Sequence, residues 1–199
     1  MADARMKKSV GAAATGGWVE NRVVAALIGI AAFVVMTALG AQVRIPLPFT
    51  PVPITLQTFF VHLAGATLGP GFGAVSQAAY LAVGAAGAPV FAGGKAGLAV
   101  LQGPTAGYLV GFVLATIVVG GLIRRRPAPG YGWILFCMAA GSLTVYACGV
   151  SWLAWVLNLP LPVAVAKGML PFLLGDVLKT CAAAALFLAY RRQARAFFP

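Results

Sequence analysis

Between Val23 and Tyr190 the chain passes through six apolar stretches, at about 23–40, 54–69, 72–88, 104–123, 131–157 and 169–190. A helix needs about 20 mostly apolar residues to cross the hydrocarbon core of a bilayer. Because lipid cannot satisfy backbone N–H and C=O groups, only helices and closed barrels survive there. Stretches of this length predict an all-α, polytopic membrane protein: a six-transmembrane-helix bundle. The second stretch is short, and Gly69-Pro70-Gly71 predicts a tight turn from it into the third.

Composition agrees. Hydrophobic residues make up 61% of the 199 and charged residues only 9%, with a mean hydropathy of +0.96. A soluble domain carries about 25% charged residues to cover its surface. One membrane domain is expected over 22–192, between a flexible basic tail (1–21) and a short tail (193–199). The first tail is too polar to be the apolar core of a secretory signal.

An even number of spans puts both termini on one side, and the cations select the side. Arg5, Lys7, Lys8, Arg22, Arg124, Arg125, Arg126, Arg191, Arg192 and Arg195 fall together, whereas Arg44, Lys95 and Lys167 fall opposite. Cations concentrate on the cytoplasmic side of membrane proteins, so both termini are expected to be cytoplasmic. The outer loops are then 41–53, 89–103 and 158–168. The first, with prolines at 46, 48, 51 and 53, should be extended and stiff. The second is glycine-rich and pliable, suited to a lid or merely to a connector.

The net charge of +11 does not point to nucleic acid, because no basic face with interleaved aromatics exists. Cys137, Cys148 and Cys181 lie in apolar stretches without metal-ligand spacing and read as packing residues. Gly93-Gly94-Lys95 lacks the spacing of a phosphate-binding loop. Any energised transport would have to use ATPase subunits from elsewhere.

Of three acids, Asp3, Glu20 and Asp176, only the last lies inside an apolar stretch. Charges at that depth are expensive and usually functional. Lys179, three residues on, shares its helix face, so the pair is either an internal ion pair or part of a site open to the outside. Thr55, Thr58 and His62 share a face of the second stretch, and Ser76 and Tyr80 one of the third. Most such positions read as packing seams. A His62–Ser76 base–nucleophile pair would make an intramembrane hydrolase, but no acid is placed to orient the histidine.

Four ordered stretches resemble one family. Arg44-Ile-Pro-Leu-Pro-Phe-Thr-Pro-Val-Pro-Ile-Thr-Leu-Gln57 is similar to the first-loop signature of the BioY family, the biotin-capturing S components of energy-coupling factor (ECF) transporters. Leu68-Gly-Pro70, then Pro89-Val-Phe-Ala-Gly-Gly94 with Gly103-Pro-Thr-Ala-Gly-Tyr108, and Gly175-Asp-Val-Leu-Lys179 follow in order across 22–190. Ala106 departs from the glycine frequent in the family.

The resemblance implies a multi-pass protein of the cell membrane, embedded in lipid, that binds biotin from outside. It is not an enzyme and has no cofactor. A transmembrane coupling (T) subunit and ABC ATPases would drive import. The resemblance places Asp176 and Lys179 in the binding site, with Phe91, Gly93, Gly94 and Lys95 closing over it. A carboxylate is a natural acceptor for the paired ureido N–H groups of biotin. Lys95 or Arg44 could meet the biotin tail carboxylate, and Tyr108, Gln57, Gln102 and Trp152 are candidate wall contacts. Ala25 and Gly29, a small-xxx-small pair on the first helix, are candidates for the T-subunit face or for packing within the bundle. The alternatives are an S component for another vitamin, such as thiamine or riboflavin, and the hydrolase.

Overall fold

The computed structural model describes the backbone of residues 2–198 and the side chains of 22–195 and of Phe198. Helix α1 (Ala2–Gln42) starts well before the expected Val23, so the backbone of 2–21, expected as a flexible tail, is helical. No proline precedes Pro46 and the run Ala12-Ala13-Ala14 favours helix, so nothing breaks it. The membrane-length portion begins at Arg22.

Two short strands, β1 (Arg44–Ile45) and β2 (Ile54–Thr55), pair antiparallel in the register Arg44↔Thr55 and Ile45↔Ile54. They clamp the ends of the proline-rich segment together, so 46–53, expected to be extended, instead folds back as a loop with a turn at Pro48–Phe49 and bends at Pro51 and Val52.

Helix α2 (Gln57–Ala85) is interrupted at Gly69, whose φ of 80° and ψ of −175° are not helical. This backbone region is essentially confined to glycine. The chain reverses there: Gln57 Nε2 donates to Tyr80 Oη at 2.9 Å. In a straight helix those residues would stand roughly 35 Å apart at 1.5 Å per residue. The limbs 57–68 and 70–85 thus run back alongside each other, joined at the predicted Gly-Pro-Gly turn.

Helices α3 (Ala106–Arg124) and α4 (Tyr131–Val156) lie within two residues of their expected limits. The segment 158–168, expected as a loop, instead carries helix α5 (Leu161–Gly168). Pro160 stands just before it and Pro162 in its first turn, where a missing N–H and a fixed φ do no harm. A 3-10 turn, Leu170–Phe172, leads into α6 (Leu173–Phe197). Among the described residues five helices are long and apolar enough to cross a membrane.

Val24, Ile28, Val35, Leu39, Leu143, Leu174 and Leu178 are exposed on the bundle's outside, the surface that lipid covers. Inside, one apolar cluster surrounds Phe33, Leu68, Met138 and Phe187, and a second surrounds Tyr80, Phe91, Tyr108, Tyr146 and Phe172. Gly29 turns toward the bundle: a Cβ there would lie 2.7 Å from Leu68 Cδ2 and 2.9 Å from Phe198 Cζ. Gly29 therefore packs against α2, while it and Ala25 both stay only partly buried on α1.

Candidate solute-binding site

The second cluster encloses a cavity of about 180 Å³. Seven parts of the chain build it: the β1–β2 segment, the start of α2, the 91–95 turn, Val100 on the 3-10 turn Leu98–Gln102, the start of α3, the middle of α4, and Phe172 with the start of α6. The 3-10 turn at Leu170–Phe172 decides where α6 begins, and thereby puts Asp176 in its first turn. A carboxylate is stabilised there by the helix N-terminus, typically by about 0.3–1 kcal/mol.

Three side chains converge on this carboxylate. Lys179 forms an ion pair with Oδ1, Thr58 Oγ1 donates to Oδ1 at 3.2 Å, and Tyr146 Oη donates to Oδ2. Lys179 Nζ also donates to the Thr55 carbonyl at 2.8 Å, tying α6 to β2. Asp176 is buried at 8% exposure. A carboxylate has about four acceptor positions, so three protein donors leave room for one more donor from the cavity.

Aromatic side chains make the walls. Phe91 fits against Gly84, where a Cβ would come within 2.7 Å of its Cε1. Its ring meets Tyr80 edge-on at 5.5 Å. Tyr108 is anchored by donation to the Gly168 carbonyl at 2.8 Å. The Gln57 amide is held at both ends, by Tyr80 and by Thr55 Oγ1 at 3.0 Å from Oε1. Arg44 and Lys95, both exposed, stand among the lining residues at the loop end.

Of the residues singled out in the sequence, Arg44, Gln57, Phe91, Lys95, Tyr108, Asp176 and Lys179 line the cavity, as do Thr55 and Thr58, which by spacing alone read as packing positions. Gly93 and Gly94, with φ of 79° and 70°, form the turn between Phe91 and Lys95. Arg44 packs over Gly93, its Nη1 2.5 Å from where a Cβ would stand. Gln102 and Trp152 do not line the cavity. Gln102 is exposed, and Trp152 Nε1 donates to the Gly103 carbonyl at 2.9 Å, fixing the approach to α3. Tyr146, Phe112 and Phe172 line it without having been picked out. Tyr146 lies 30 residues from Asp176 in the chain, and no motif marks it.

The His62–Ser76 pairing does not form. His62 Nε2 meets Ser142 Oγ at 3.3 Å, whereas Ser76 donates to the Gly73 carbonyl at 2.7 Å. The reversal at Gly69 turns the two side chains to different neighbours.

The sequence pattern of the BioY family matches residues 6–196. The chain belongs to the BioY family. It is 39% identical over 166 residues to the biotin transporter BioY of Thermotoga maritima, covering 83% of this chain and 95% of the relative. It is 38% identical over 159 residues to the biotin transporter BioY of Rhizobium etli, covering 76% and 84% respectively. In fold it is similar to the crystal structure of an S component for biotin from an ECF-type ABC transporter, with a TM-score of 0.83 and 27% identity. That match covers 90% of this chain and 98% of that one. The BioY-like motifs at 44–57, 89–94 and 175–179 all reach the cavity. Ala106 is buried at the start of α3 and lines no part of it.

Proposed function

We propose that this chain is the biotin-capturing S component of an ECF-type ABC importer. The observation that carries the reading is the Asp176 carboxylate, gripped by Lys179, Thr58 and Tyr146 yet facing a cavity. Its remaining acceptor position suits a ureido N–H of biotin, and Lys179 can donate to the ureido carbonyl. Phe91, Tyr108, Phe112 and Phe172 suit the flat apolar bicycle. Arg44 or Lys95 meets the tail carboxylate at the mouth.

Six membrane crossings follow if the two limbs of α2 each span, a reading supported by the Gln57–Tyr80 hydrogen bond. The cation distribution then favours cytoplasmic termini in the cell membrane, with the cavity opening outward. The chain itself carries no enzymatic role. A T subunit and paired ABC ATPases supply the work.

Equilibrium binding of labelled biotin to the detergent-purified protein tests the reading. Saturable binding, displaced by unlabelled biotin and not by thiamine or riboflavin, is the expected result. No saturable binding, or displacement by another vitamin, would overturn it.

A further inference from the structure

At the opposite end from the biotin cavity lies a second cleft, of about 500 Å³, between α1, the α2 elbow and the end of α3. Its lining is two-natured. Val23, Phe72, Val75 and Phe198 supply apolar surface, and Arg22 and Arg124 supply two guanidinium groups; among the described residues no acid lines it. Val23, Phe72 and Val75 are about half exposed on the outside of the bundle, at 54%, 48% and 50%. The cleft therefore opens to the membrane rather than into the protein.

The reversal at Gly69 creates this arrangement. Arg124 lies over Gly69, its Nε 2.6 Å from where a Cβ would stand, and gives one N–H to the Leu68 carbonyl at 3.3 Å. That bond uses only part of a group with five donors. Arg124 is thus fixed in place with donors to spare, and Arg22 stands on the facing helix.

We propose that this cleft binds one anionic phospholipid of the cytoplasmic leaflet, its phosphate between Arg22 and Arg124 and an acyl chain along Val23, Phe72 and Val75. The leaflet rests on the orientation proposed above; the binding chemistry does not. Basic pockets between helices at the cytoplasmic surface attract anionic headgroups. Guanidinium forks match phosphate geometry. A free phosphate would gain nothing from the apolar walls, and a neutral lipid would gain little from the arginines.

Native mass spectrometry of the full chain in detergent, with phosphatidylglycerol or phosphatidylcholine added, tests this. One phosphatidylglycerol should stay bound at concentrations where phosphatidylcholine does not. Arg22→Gln should weaken retention, and Arg22→Gln with Arg124→Gln should lower it roughly thirtyfold, the scale of removing two cations from a membrane surface. Arg124→Lys keeps the charge and loses the fork, so its retention should fall between those of the wild type and the double variant. Because Arg124 also holds the elbow, Arg22→Gln alone is the variant that leaves the bonds among the described residues intact. Equal retention of both lipids, an unchanged double variant, or displacement by inorganic phosphate would overturn the proposal. Biotin binding should persist in every variant, so failure of the lipid site and failure of the biotin reading are separate results.

Discussion

Tyr146 on α4 donates its phenolic hydrogen to Asp176 Oδ2 on α6. The bond joins two helices at the floor of the cavity and aims one carboxylate oxygen. Tyr146→Phe removes the donor and keeps the ring. A hydrogen bond to a charged group contributes about 1.5–3 kcal/mol, so biotin affinity should fall about tenfold or more with the fold retained. Unchanged affinity would limit Tyr146 to packing.

Asp176 and Lys179 call for a double-mutant cycle. Asp176→Asn replaces an acceptor with a competing donor and should weaken biotin at least about tenfold, since 1.4 kcal/mol is a decade. Lys179→Met should also weaken it, by leaving a buried carboxylate without its cation. The double variant distinguishes a binding site from an internal ion pair. A pair serving only itself should regain near-normal affinity once both charges are gone. Continued loss of binding is the result expected here.

At the mouth, Arg44 packs over Gly93 and is exposed. Exposed ion pairs contribute roughly 0.2–1 kcal/mol, so Arg44→Gln should weaken biotin by only about fivefold at most. The telling measurement is biotin against its methyl ester. The wild-type protein should prefer the acid, and Arg44→Gln with Lys95→Gln should lose the preference. An undiminished preference would place the tail carboxylate elsewhere.

Gly69 should tolerate no side chain. Its φ of 80° with ψ of −175° costs a non-glycine residue about 1–3 kcal/mol, and Arg124 occupies the space. Gly69→Ala should lower the melting temperature while the folded fraction binds biotin normally. An unaltered melting temperature would mean that the elbow is not held at this residue.

Orientation can be read by single cysteines on a background lacking Cys137, Cys148 and Cys181. Pro48→Cys, Lys95→Cys and Ala166→Cys should react with an impermeant reagent from outside. Arg125→Cys and Arg192→Cys should react only after permeabilisation. Labelling of position 95 from the inside alone would rule out six crossings.

Membrane class, the α3 and α4 limits and the turn at Gly69-Pro70-Gly71 were legible in the sequence, because each rests on a local property. Run length against bilayer thickness, and the glycine-only backbone of the elbow, involve no distant partner. The same holds for the isolated charge of Asp176, whose type alone marks it as exceptional in an apolar helix. The tertiary structure decided which neighbours that charge meets. Tyr146 arrives from 30 residues away and Thr58 from 118, and no spacing rule connects them. It also separated Gln57, which lines the cavity, from Gln102 and Trp152, which do not, although all three read alike as polar or aromatic wall candidates. Gly29 and His62 make the same point. A small residue or a histidine on a helix has a face, but only the packing of the reversed α2 against α1 and α4 determines what that face meets.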